Sequence, residues 1–207
     1  MKKKLVLSGL TLILANCAST LDVKSVSDIP ESSIKFYGHE KKPVLTPRGF
    51  TKLSTVESAR KYAEEVYQNN DSTNNDYSLM FYPYDEIFTI DRPISCSEST
   101  YLIYGALEDN GMQPYFLLLA NTSKKKGHIT NIFKVKGKYG SSGANYQDHH
   151  APTANNIPSL INKINQGYQK IGYQFTEYNI IRINPDHIKH QRKMINPLQY
   201  FKLKKIE

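Results

Sequence analysis

Residues 127–140 read Gly127-His128-Ile129-Thr130-Asn131-Ile132-Phe133-Lys134-Val135-Lys136-Gly137-Lys138-Tyr139-Gly140. From His128 to Val135 the side chains alternate. Ile129, Asn131, Phe133 and Val135 point one way; His128, Thr130, Ile132 and Lys134 point the other, which is the period of a β-strand. Lys136-Gly137-Lys138 makes a turn and Tyr139 starts a return strand, so the stretch is a hairpin. Working upstream, Pro114 to Ala120 is a continuous apolar strand, and Ser95 to Leu107 is apolar on most faces, as a buried helix would be. Gly111 stands where that helix stops. Lys124-Lys125-Lys126 reads as a solvated loop rather than a binding patch. Downstream, Pro152 to Pro158 reads as loop, Ser159 to Lys170 as an amphipathic helix and Gln174 to Ile183 as a strand. The predicted fold class is α+β: a buried, Cys-bearing helix packed on an antiparallel sheet.

The remaining chain sets the organisation. Ser54-Thr55-Val56-Glu57 offers a capping box to a helix running to Asn69-Asn70. Residues 69–76 are a polar loop, and Tyr77 to Ile90 holds short strand or irregular segments. At the start, Lys2-Lys3-Lys4 precedes the apolar run Leu5 to Ala15, the pattern of an export signal too short to span a bilayer. Residues 18–50, with Pro30, Gly38, Pro43, Pro47 and Gly49 and no sustained period, read as a tether. A domain is expected over 51–185 and a basic tail over 186–207, where Lys189, Arg192, Lys193, Lys202, Lys204 and Lys205 lie. Such a tail is solvated or touches anionic lipid.

Composition narrows the class. The 207 residues carry a net charge of +8, or +5 (24 − 19) once residues 1–16 and their three lysines are set aside. With 39% hydrophobic residues, 15 Tyr and 8 Phe, the chain is neither polytopic in a membrane nor wholly disordered. Two cysteines supply neither a disulfide framework nor a four-Cys zinc site. The expected chemistry needs no cofactor and no metal. There is no Gly-rich phosphate loop, and Asp148-His149-His150 and the His187/His190 pair read as structural or solvated. An exported chain without a recognition motif is not expected to bind nucleic acid.

Leu14-Ala15-Asn16-Cys17 resembles the lipobox of bacterial lipoproteins. That resemblance implies lipidation at Cys17 (palmitate among the acyl groups) and a lipid-anchored protein of the cell envelope. In a Gram-negative cell it implies an outer-membrane location, because no Asp comes after Cys17. An uncleaved anchor or an ordinary secretory signal with an incidental Cys is the alternative.

Cys96 is then the one remaining thiol. Pro93 disfavours helix at Arg92, Ser95 can cap, and Cys96 falls in the first turn, where exposed N–H groups and the positive dipole end favour a thiolate. The same N–H groups suit an oxyanion. His128 comes next on the hairpin, then Asn145 and Asp148. Thiol, imidazole and carboxamide or carboxylate are the parts of a nucleophilic triad. The strand reading sets His128 opposite Asn145 on the neighbouring strand, with Asp148 as the alternative third member.

Ser95-Cys96-Ser97-Glu98, Tyr101 to Leu107, Asn110-Gly111-Met112-Gln113-Pro114 and the 127–140 hairpin together resemble bacterial transglutaminase-like cysteine peptidases, over roughly residues 54–183. The resemblance implies a papain-like core, Cys96 as nucleophile and His128 as general base. Where many relatives carry an Asp after the turn, this chain has Gly143, and Asn145 matches the Asn of one branch. Two functions fit. One is a thiol acyl-transfer enzyme acting on an amide in a peptide or cell-wall stem, by hydrolysis or transamidation. The other is a non-catalytic envelope lipoprotein binding peptide or glycan in a cleft lined by Tyr82, Tyr84, Tyr139 and Tyr146.

Overall fold

A computed structural model describes residues 23–32, 79–81, 87, 95–109, 111–183, 193–195 and 202–206. The expected export signal with Cys17, the helix expected over 54–70 and the loop expected over 69–76 lie outside them. The fold is α+β: two helices pack on an antiparallel sheet.

The helix α1 (Cys96–Asp109) begins on a reciprocal cap. The Ser95 N–H donates to Glu98 Oε2 at 2.7 Å, and the Glu98 N–H approaches Ser95 Oγ at 3.4 Å. Ser95-x-x-Glu98 is the same signature that residues 54–57 carry, and here the carboxylate is buried against the backbone N–H it accepts from. Residues 101–104, 106 and 107 are buried, as expected for a helix apolar on most faces. Gly111, at φ 74°, ends it: its N–H reaches Glu108 C=O, and that of Met112 reaches Leu107 C=O. This is a Schellman motif, which needs the left-handed conformation glycine adopts freely.

The main sheet contains β1 (Val23–Ser25), β3 (Tyr115–Asn121), β4 (Lys126–Val135), β5 (Lys138–Gly143), β6 (His150–Ala154) and β7 (Glu177–Ile183) in the order β1-β7-β3-β4-β5-β6. The strand β9 (Lys204–Lys205) adds to the other half of β7's outer edge. A separate pair joins β2 (Leu79–Phe81) to β8 (Lys193–Ile195). The hairpin read from residues 127–140 is present, with β4 and β5 in register from Thr130↔Gly143 to Val135↔Lys138. Its two-residue turn has φ 51° at Lys136 and 71° at Gly137, which matches the twist of the flanking strands.

The core has two sides. Leu117, Leu119, Ile132 and Ile180 pack with Ile157, Leu160, Ile161 and Ile164 of the helix α2 (Ile157–Gln169). On the other side Tyr104 of α1 stacks on Phe116 of β3, ring centroids 4.8 Å apart. Thr100 Oγ1 donates to Ile129 C=O, and Asn131 Nδ2 donates back to Thr100 C=O. These two bonds lock the first turns of α1 to the middle of β4.

Three expectations are corrected. The described part of the 18–50 tether belongs to the domain: β1 pairs with β7, Ile29 is fully buried, and Ser32 Oγ accepts from the Gln113 N–H. A three-residue strand and the irregular chain after it leave no period to read. The 186–207 tail is likewise not free where described, since β8 and β9 pair and Ile206 packs on the core. Residues 152–154, read as loop, lie in β6, an edge strand where Pro152 costs no ladder bond.

Candidate active site

Cys96 is a free, half-buried thiol at the first residue of α1. One turn later Thr100 is bonded to Ile129, so the start of the helix lies beside His128, the neighbour of Ile129. Side-chain hydrogen bonding and charge couple Cys96 to His128. His128 is 8% exposed, and its Nε2 is fully engaged. That nitrogen lies 2.8 and 3.0 Å from the two Asp148 carboxylate oxygens and 2.7 Å from Tyr168 Oη. Nε2 is thus taken up by the carboxylate and the phenol, and Nδ1 is the nitrogen left for other chemistry.

Burial alone would depress the imidazolium. The Asp148 charge and hydrogen bond, with smaller contributions from Cys96, outweigh it and push the His128 pKa up to about 10. Through the neutral range His128 is thus an imidazolium, held as a donor at Nε2 by an acceptor-only carboxylate.

The side chain that meets His128 is Asp148, not Asn145. The expected Asn145–His128 pairing needs the β4–β5 ladder to continue two more residue pairs beyond Thr130↔Gly143, and the strand ends there. The chain instead turns through a 3-10 helix (Tyr146–Asp148), closed by the Asp148 N–H to Asn145 C=O at 2.9 Å. The turn folds Asp148 back toward His128. The Asn145 N–H donates to Asp148 Oδ2 at 2.9 Å, and Ser141 Oγ donates to the Asp148 carbonyl at 2.7 Å. Gly143 makes room for it. A Cβ there would fall 2.4 Å from Thr130 Oγ1 and 2.6 Å from Asp148 Oδ2, closer than real Cβ contacts come. The carboxylate therefore lies over the position that carries no side chain.

Asn145 serves one layer out: its Nδ2 donates to Tyr168 Oη at 3.0 Å. Tyr168, buried on α2, then donates its hydroxyl hydrogen to Asp148 Oδ1 at 3.0 Å. Burial and the Asp148 charge keep that phenol protonated well above its ordinary range. Sequence reading missed Tyr168, because it continues the apolar stripe of Ile157, Ile161 and Ile164 as any core aromatic would. The only signal for it was a hydroxyl at the end of that stripe.

The other candidates are structural. His149 Nδ1 meets Ser142 Oγ at 3.1 Å, and His150 Nε2 donates to Gln147 C=O at 3.0 Å, so both pin the turn. Among the described residues no three His, Cys, Asp or Glu side chains stand together as metal ligands. His187 and His190 lie outside those residues, as do Tyr82 and Tyr84. Tyr139 does not line a cleft: it is in the core, its hydroxyl donating to Asp28 at 2.7 Å. Tyr146 is exposed. The chain matches no protein-family model and no curated protein.

Proposed function

We propose that the chain is a thiol acyl-transfer enzyme with a transglutaminase-like, papain-like core, working on an amide in a peptide or cell-wall stem. The observation that carries this reading is the buried Asp148–His128 pair coupled to a solvent-reached Cys96 at a helix start. A carboxylate that holds Nε2–H and leaves Nδ1 for a thiol fixes the ring for proton exchange with sulfur. The basic and apolar residues Lys2 to Ala15 and the LANC sequence ending at Cys17 support export and a lipid anchor in the cell envelope.

In the proposed reaction the Cys96 thiolate attacks the amide carbonyl carbon, forming a C–S bond and an oxyanion. Collapse breaks the C–N bond, and the amine leaves with the proton from His128 Nδ1, giving a thioester and a neutral imidazole. Water then attacks while Nδ1 takes its proton. The C–S bond breaks, the carboxylic acid departs, and the thiolate–imidazolium pair is restored. An amine in place of water gives transamidation.

Thioester capture tests this with p-nitrophenyl acetate as acyl donor. Expected are a burst of p-nitrophenolate and a hydroxylamine-labile acetyl group on Cys96, both absent in Cys96→Ala. Acetylation confined to lysines, with none on Cys96, contradicts the reading.

A further inference from the structure

Among the described residues, three large hydrophobic side chains are exposed: Tyr146, Ile171 and Tyr173. All three come within a few residues of the site in the chain. Tyr146 opens the turn that delivers Asp148, directly after Asn145. Ile171 and Tyr173 come after α2, just beyond Tyr168, and the Tyr173 ring meets Tyr168 edge-on with centroids 6.4 Å apart. A single exposed aromatic needs no explanation. An exposed aromatic in ring contact with the tyrosine that bonds both His128 and Asp148 is placed to meet a ligand at that site.

The border also carries charge. Lys126 opens β4 two residues before His128, on the same face of the strand. Its Nζ stands 5.8 Å from the Tyr173 ring centroid. Lys126 has no carboxylate partner among the described residues, and Lys124 and Lys125 beside it are exposed. A cation held over an aromatic ring, with its head in water, is placed to meet an anion and an apolar group together.

We infer that Lys126, Tyr173 and Tyr146 form the recognition rim of the Cys96–His128 site, and that the rim selects an acidic peptide. The inference rests on the catalytic reading above for the reacting end of that peptide. The rim presents a cation to a Glu or Asp side chain and aromatic faces to an apolar neighbour in the same peptide.

Acetyl-dipeptidyl vinyl sulfones with Phe and then Glu or Lys test it on the full chain, through second-order rates of Cys96 modification. Thiolate adds to the vinyl β-carbon and the α-carbon takes a proton, so no other reactant is needed. Iodoacetamide, neutral and too small to reach the rim, reports the thiol alone. At low salt the Glu probe is expected to react about tenfold faster than the Lys probe, a ratio that falls toward unity in high salt. Lys126→Glu should invert the ratio. Tyr173→Ala should slow both peptides alike. Equal Glu and Lys rates, or a ratio unmoved by Lys126→Glu, overturn the rim while iodoacetamide reactivity preserves the catalytic reading. Inertness to iodoacetamide as well sinks both. A flat peptide ratio with Lys126-dependent binding to phosphatidylglycerol vesicles overturns the acidic peptide in favour of a membrane surface.

Discussion

Replacing His128 by alanine is expected to slow iodoacetamide modification of Cys96 at pH 7 by about tenfold. A cation beside a thiol favours the thiolate that iodoacetamide captures. The imidazolium that Asp148 sustains up to about pH 10 is the charge removed. Turnover of any amide substrate should fall further, by about 10²–10⁴, because the proton donor to the leaving amine is gone as well. The rate is read by mass spectrometry of the Cys96 peptide against time. Equal rates for the variant and the natural chain at pH 7 would remove His128 from the mechanism.

The second large effect is expected at Asp148. Asp148→Asn keeps the shape and removes the charge, leaving His128 buried beside a neutral amide. Burial then dominates, and the imidazolium is driven toward the neutral form instead of being held. Breaking a buried, hydrogen-bonded charge pair by removing one partner costs about 3–5 kcal/mol. The pH dependence gives a second readout. His128 has a folded pKa raised to about 10 from 6.5, so the stability it contributes is fully present below about pH 6.5 and is lost as pH rises toward 10. Urea unfolding at pH 6.5, 8 and 10 should therefore show a decline in the natural chain that Asp148→Asn largely lacks. Parallel declines in the two proteins would show that the His128–Asp148 pair does not carry it.

Local chemistry made part of this molecule readable. The 127–140 alternation and Gly137 specify the hairpin, and the apolar run after Ser95 with Gly111 behind it specifies α1 and its end. Cys96 and His128 could be paired because each sits at a position its element defines: a helix start and a strand face. The acid was harder. Strand periodicity carried through Asn145 assumes that the strand persists, whereas the ladder stops at Gly143. Beyond Gly143 the path of the chain is set by a backbone turn and by the space over a glycine, neither of which has a period. Tyr168 was hidden for the opposite reason: it obeys the helix period and so looks like core. The short strands β1 and β9 escaped reading because pairing with an existing β7 edge asks only for free backbone groups, not for a pattern of side chains.

The claim on which the rest depends is that His128, kept as an imidazolium by Asp148, stands ready to exchange a proton with Cys96. Its most direct test is the titration of the His128 ring followed by NMR in the natural chain from pH 5 to 11. The ring is expected to stay protonated through neutrality and to lose a proton only near pH 10. An ordinary imidazole titration near pH 6.5 would contradict it.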